Sequence, residues 1–202
     1  MPHHRFSRYA AQAVFALAAL ACGGQAFAAA ADRNQPTTVD ADSLRYDDLK
    51  QTSIFTGNVV LTKGSLILRA DQLELREDAE GYQFGVATAN GGKLVNVRQR
   101  REGSDEYVEG VAERVEYDGR GELIHFISKA VVKRLACEQM VDEVRGQRVT
   151  YNQRTDTYTA TGGPQAPTSN QRVRTIIQPR GQTAPGTPAA GCGAPAPGKA
   201  AR

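Results

Sequence analysis

One six-residue pattern returns four times along the chain and constrains its fold more than any single segment does. Ala41-Asp42-Ser43-Leu44-Arg45-Tyr46 is followed by Ala70-Asp71-Gln72-Leu73-Glu74-Leu75, then by Ala112-Glu113-Arg114-Val115-Glu116-Tyr117. A looser copy is Gly146-Gln147-Arg148-Val149-Thr150-Tyr151. The form is a small residue, a polar one, any residue, an aliphatic, a polar residue, then Tyr or Leu. Apolar positions two apart on a polar background carry the period of a half-buried strand, not that of a helix. Two landmarks keep register, since Tyr46 to Tyr117 and Phe55 to Phe126 are both 71 positions apart. A second element accompanies the copies, as in Phe55-Thr56-Gly57-Asn58-Val59 and Tyr107-Val108-Glu109-Gly110-Val111, and Tyr158-Thr159-Ala160-Thr161-Gly162 closes the series.

Proline is absent between Thr37 and Gly163, which favours unbroken regular structure there. Short aliphatic runs at 59–62, 66–69 and 73–76 read as strands, with breaks at Lys63-Gly64 and Ala70-Asp71; Val95-Asn96-Val97 alternates in the same way. No window carries a capped helical stripe, so the chain reads as all-β. A single strand pair cannot bury its apolar face, so successive units must stack into a long two-sheet structure. Parity gathers Val59, Leu61, Leu66, Leu68, Leu73 and Leu75 on one face, continued by Val95, Val97, Val115, Tyr117, Val149 and Tyr151. These twelve are the candidate ligand-contacting residues, foremost Val97 and Tyr117. From pattern alone they form either a closed core or the wall of an apolar groove.

Composition narrows the chemistry once the ends are set apart. The 202-residue chain has a net charge of +3, yet residues 29–179 hold 20 basic and 22 acidic side chains. The positive balance lies in the termini, which removes the case for nucleic-acid binding. Outside the first 28 residues there is one histidine, His125, and two cysteines, Cys137 and Cys192. A zinc site, a redox Cys pair or a Ser-His-Asp triad has almost nothing to be built from. The acidic positions of the repeat lack the dense Asp/Asn/Gly spacing of calcium loops. Asp40 and Asp42, two apart on one strand face, have no marked partner acid for hydrolysis.

Residues 1–28 show a basic start, an apolar run over 10–21 and the small-residue ending Ala26-Phe27-Ala28. This is the pattern of a secretory signal peptide cleaved after Ala28. This 12-residue run falls short of the roughly 20 that span a bilayer. Cys22 is then removed with the peptide, or is lipidated if Ala19–Gly23 acts as a lipobox. Residues 180–202, rich in Pro, Gly and Ala, read as a disordered tail, leaving 29–179 as the folded domain. A Cys137–Cys192 disulfide is open in an oxidising compartment.

Gln35-Pro36-Thr37, Ala41-Asp42, the run Phe55-Thr56-Gly57-Asn58-Val59-Val60-Leu61-Thr62-Lys63-Gly64 and Ala70-Asp71 resemble the OstA-like family. Val108–Ala112, Gly146–Tyr151 and Arg172–Ile177 also match, so the resemblance covers about residues 35–178. It implies a twisted, open-ended β-jellyroll of stacked antiparallel strands that holds the acyl chains of lipid A. It also implies a periplasmic lipopolysaccharide carrier with neither cofactor nor catalytic group. The partners it implies are an inner-membrane export component (LptC-like), an outer-membrane translocon (LptD-like) and further copies joined head to tail. Arg98–Asp105 and Leu135–Glu143 depart from the family pattern.

Elementary energetics agrees with this expectation. Each exposed CH₂ costs roughly 0.8 kcal/mol, so an acylated cargo needs an apolar trough with a wet side for its sugars. Uncovered strand edges, expected near Thr37–Ala41 and near Thr157–Gly162 with Arg172–Ile177, invite strand addition. Arg98-Gln99-Arg100-Arg101 reads either as a phosphate contact or as part of a mixed-charge loop with Glu102, Asp105 and Glu106. A rival is a secreted β-solenoid that binds carbohydrate or mediates adhesion. It would need an outward aromatic face, and only six Tyr and three Phe follow residue 28, with no Trp.

Overall fold

The structure, a computed structural model, describes residues 35–101, 104–136 and 139–178. The expected signal peptide, Cys22, the tail 180–202 and both cysteines of the expected disulfide lie outside the described residues. The described residues form twelve strands and no helix. They are β1 (Thr38–Asp40), β2 (Ser43–Asp47), β3 (Thr52–Lys63), β4 (Leu66–Glu77), β5 (Gln83–Thr88), β6 (Val95–Arg100), β7 (Glu106–Ala112), β8 (Arg114–Asp118), β9 (Leu123–Ala136), β10 (Gln139–Asn152), β11 (Thr157–Thr161) and β12 (Arg174–Ile177).

All pairings are antiparallel, and four long strands belong to two layers at once. The first layer runs β2, β3, β4, β5, β8, β9, β10, β11, using residues 52–56 of β3, 72–77 of β4, 123–127 of β9 and 148–152 of β10. The second runs β1, β3, β4, β6, β7, β9, β10, β12 through the other halves of the same strands. The sheet is therefore folded over on itself along a corner. One end is edged by β1 and β2, the other by β11 and β12.

Local chemistry makes the corner. β3 is interrupted between Thr56 and Val59 by Gly57 (φ 84°) and Asn58 (φ 47°), and β9 by Ser128 (φ 63°) and Lys129 (φ 53°). Such bulges bend a strand and raise its twist. The small-polar opening of each repeat lies on this corner. The N–H of Asp42 donates to Gly57 O (2.9 Å), and its carboxylate accepts from Asn58 Nδ2 (2.9 Å). Asp71 accepts the Asn90 N–H (2.7 Å) and meets Lys93 Nζ (3.3 Å). Glu113 donates its N–H to Ser128 O (2.9 Å) and pairs with Lys129 Nζ (2.6 Å). Each of these carboxylates is thus engaged at the bend.

One expectation needs correction. Ala70-Asp71 does not end a strand; β4 runs unbroken from Leu66 to Glu77 and changes partner there, from β6 to β5. The small-polar pair marks a bend, which a linear pattern cannot tell from a turn.

The two apolar positions of the repeat become two transverse rows across the first layer. The inner row reads Leu44, Phe55, Leu73, Ala87, Val115, Phe126, Val149, Ala160, one residue per strand. The outer row, farther from the corner, reads Tyr46, Ser53, Leu75, Gly85, Tyr117, Ile124, Tyr151, Tyr158. Facing them across the interior, the second layer offers Val39, Leu61, Leu68, Val97, Gly110, Val132, Val144. The primary repeat is the strand-to-strand period of one wall.

Candidate functional site

Between the layers lies an open cavity of about 650 Å³, within the roughly 300–1,000 Å³ of ligand-binding clefts. Nine of the twelve sequence-selected residues line it: Leu61, Leu66, Leu68, Leu73, Leu75, Val97, Val115, Tyr117 and Tyr151. The other three, Val59, Val95 and Val149, are almost completely buried. Val59 and Val95 sit beside the corner, where the layers are too close to leave space; Val149 adjoins Phe126.

Sequence reading passed over several lining positions. Ile124 belongs to the outer row and has the right alternation in Leu123-Ile124-His125-Phe126. Gly85 and Ala87 widen the cavity by what they lack, a signal that hydrophobic parity does not register. At the mouth, opposite the corner, the lining turns polar with Lys63, Gln83, Gln99, Arg101, Glu122 and Gln153. Lys63 shares the inward parity of Val59 and Leu61 and ends its strand at the rim. An apolar floor below a polar lip suits an amphiphile with several chains and a hydrated head.

The cavity's lining runs from Gln35, Pro36 and Thr37 beside β1 to Ile124, Tyr151 and Gln153 on β9, β10 and the turn after it, and the interior beyond, toward β11, is filled. Phe126, nearly inaccessible, reaches from the first layer to Gly110 in the second. A Cβ on Gly110 would stand 2.2 Å from Phe126 Cε1. Beyond it Tyr151 and Tyr158 stack at 4.7 Å and 14°. The Tyr158 hydroxyl is buried without a hydrogen-bond partner, and burial pushes its pKa up, helped by Tyr151 and Asp156.

Over this filled end, charged and polar groups cross the mouth. Arg101, after β6 in the second layer, bonds both Glu106 and Asp156, the latter in the β10–β11 turn of the first layer; its Nε lies 3.2 Å from Asp156 Oδ1. Tyr151 Oη donates to the same oxygen (3.1 Å), and Gln153 Nε2 donates to Gln99 Oε1 (2.6 Å). Glu106 also meets Arg134 (3.5 Å), which pairs with Asp142 (2.6 Å). Arg98 lies 3.7 Å from Glu109 and stacks on Tyr107 at 4.6 Å. Of the basic run, Arg98 and Arg101 therefore serve a mixed-charge network.

These contacts set an acid limit. Burial acts to raise the Asp156 pKa, but Arg101 and the Tyr151 hydroxyl outweigh it and hold it below 3.8. Asp71 is lowered from the same value by the Asn90 N–H and Lys93. Burial and the charge of Arg148 lower His125 from 6.5. All three groups bind protons more readily when unfolded, so their stabilisation is present above the unfolded pKa and lost as pH falls. Thermal melting is expected to show a slight loss below pH 6.5 from His125 and a steeper one below pH 3.8 from the carboxylates.

The family model described as "LptA/(LptD N-terminal domain) LPS transport protein" matches residues 38–157. The "Lipopolysaccharide export system protein LptA" of Haemophilus influenzae is 28% identical over 154 residues, 76% of this chain and 83% of that protein. The "Lipopolysaccharide export system protein LptH" of Pseudomonas aeruginosa is 26% identical over 169 residues, 83% of this chain and 93% of its own. A crystal structure of Pseudomonas aeruginosa LptH, titled the LptA-homologous periplasmic component of the lipopolysaccharide transport device, superposes with a TM-score of 0.64. It is 23% identical and covers 74% of this chain and 99% of that one; this likeness shows the jellyroll fold.

Proposed function

The chain belongs to the LptA/LptD N-terminal-domain family of lipopolysaccharide-transport proteins, and from that premise we propose that it is a periplasmic carrier whose interlayer groove holds the acyl chains of lipid A. The observation that carries this reading is the open apolar cavity walled by the repeat's own rows. Acyl chains leaving water at about 0.8 kcal/mol per CH₂ supply the affinity. Flexible chains ask for aliphatic packing with few fixed hydrogen bonds, and the floor offers that. The sugars and phosphates face the polar lip. Holding and passing a lipid breaks no covalent bond, so the site calls for no catalytic group or cofactor.

The carrier hands its cargo along a bridge from an inner-membrane export component (LptC-like) to an outer-membrane translocon (LptD-like). The ends of the fold support end-to-end joining. Both ends present exposed apolar side chains: Leu44 and Tyr46, where the first layer's rows begin on β2, are more than half exposed, and Ile177 on β12 is 75% exposed. A further copy adding its edge strand would continue both hydrogen bonding and rows, a head-to-tail contact that does not close.

A photo-crosslinking residue at Tyr117, which lines the cavity, is expected to capture lipopolysaccharide in cells. The same residue at Glu116, whose side chain faces away and pairs with Arg114 and Arg148, is expected to stay dark. Equal labelling at both positions removes the groove model.

A further inference from the structure

The groove is asymmetric, a property that the repeat does not announce. Its cavity extends to Gln35–Thr37 beside β1; toward β11 it is crossed at the mouth by Arg101–Asp156 and Gln99–Gln153 and filled beneath by Phe126 against Gly110. The cross-mouth bonds join tips that are otherwise far apart along the chain. Arg101 follows β6 in the second layer, whereas Asp156 and Gln153 flank the β10–β11 turn in the first. The geometry points to a gate: the Arg101–Asp156 clasp, seconded by Gln99–Gln153, separates a chamber lined by Leu66, Leu75 and Tyr117 from the end at Tyr158.

The clasp is placed to work this way. An acyl chain in the chamber meets the Phe126 plug if it advances at depth. Its headgroup, riding along the mouth, meets a bridge of charge-assisted bonds between the two layers. The bridge resists passage while costing little to open, since Asp156 is substantially solvated and screened. Opening it lets the layers part at the tips, the side opposite the corner where they are covalently continuous. A loaded chain would then hold its cargo until a partner docked on β11 and β12 competes for the clasp. The proposal rests on the acyl-groove reading above.

The test uses the full chain with p-azidophenylalanine at Tyr117 or at Tyr158, whose hydroxyl makes no hydrogen bond to be lost. Each protein is loaded with purified rough-type lipopolysaccharide and irradiated, and adducts are counted. The unaltered clasp should give strong labelling at 117 and weak labelling at 158. Arg101→Ala and Asp156→Ala, which cut the bridge from opposite sides, should each raise the 158 signal about fivefold, the population shift that one such pair sustains, and leave 117 unchanged. Glu106→Gln removes a charge from the same network but keeps the cross-mouth bond, and should behave as the parent. Gln153→Ala alters no charge; a smaller rise at 158 is expected, and it keeps the question decidable if the charge variants misfold. Labelling at 158 as strong as at 117 in the parent, or no rise in any clasp variant that folds, overturns the gate. Absence of labelling at 117 itself overturns the acyl-groove reading instead.

Discussion

Gly110→Val is expected to destabilise the fold by about 3 kcal/mol, at the upper end of what overpacking costs. The reason lies in one contact between layers. Phe126 is nearly inaccessible, and its Cε1 and Cζ occupy the place where a side chain at 110 would begin, 2.2 and 2.3 Å from the Cβ position. The obstacle is an aromatic ring held between two layers and almost wholly buried. Either the ring leaves its well or the layers separate, and separation strains the corner that joins them. Urea or thermal unfolding measures the loss. Phe126→Leu alone creates a void, costing roughly 1–3 kcal/mol on the scale of core truncations. In the Gly110→Val background it is expected to recover part of the deficit, because the smaller side chain vacates the space that valine needs. A double-mutant cycle with no coupling would mean that the two residues do not share that space.

The Gly110–Phe126 pair also shows where sequence reading stops. Within a strand, the period of two fixes which side chains share a face, and the repeat places equivalent positions side by side on successive strands. Hence the alternation at Leu73, Leu75, Val115, Tyr117, Val149 and Tyr151 is legible in the sequence, and so are the all-β class and three of the four edging strands, β1, β11 and β12, but not β2. Distance between layers is a different quantity. Val59 and Leu61 have the same parity, yet Val59 is sealed near the corner and Leu61 faces the cavity, because the layers diverge with distance from the bend. Nothing in a run of alternating residues encodes that divergence. Gly110, Gly85 and Ala87 act through missing atoms, which a hydrophobic pattern scores as gaps. The clasp was hidden for a third reason: Arg101 and Asp156 are 55 residues apart, and charge alone does not select one acid among 22. Asp71 was visible as a repeat position, but whether its corner ended a strand or bent one depended on a partner exchange outside the local sequence.

Leu75→Asp is expected to leave the fold nearly intact while weakening lipopolysaccharide binding about 100-fold, close to 3 kcal/mol on the desolvation scale of unpaired polar groups. The separation of the two effects follows from where Leu75 sits. It occupies the outer row beside Ser53 and Gly85, half-buried and lining the open cavity, away from the sealed core around Phe126. With the groove empty, a carboxylate there remains hydrated, so folding pays little. With an acyl chain seated, the same carboxylate must lose its water without gaining a partner, and the whole penalty falls on the complex. Leu75→Met keeps volume and polarity and should bind within about threefold of the parent, since volume-conserving apolar exchanges are well tolerated. Titration with a fluorescent lipopolysaccharide, together with thermal melting of the same samples, reads both quantities. If Leu75→Asp lowered stability and affinity in proportion, Leu75 would belong to a closed core and the cavity would not be the binding surface. If affinity held while the fold also held, the acyl chains would lie elsewhere. Only loss of binding with retained stability fits a groove whose wall is wet when empty and dry when loaded.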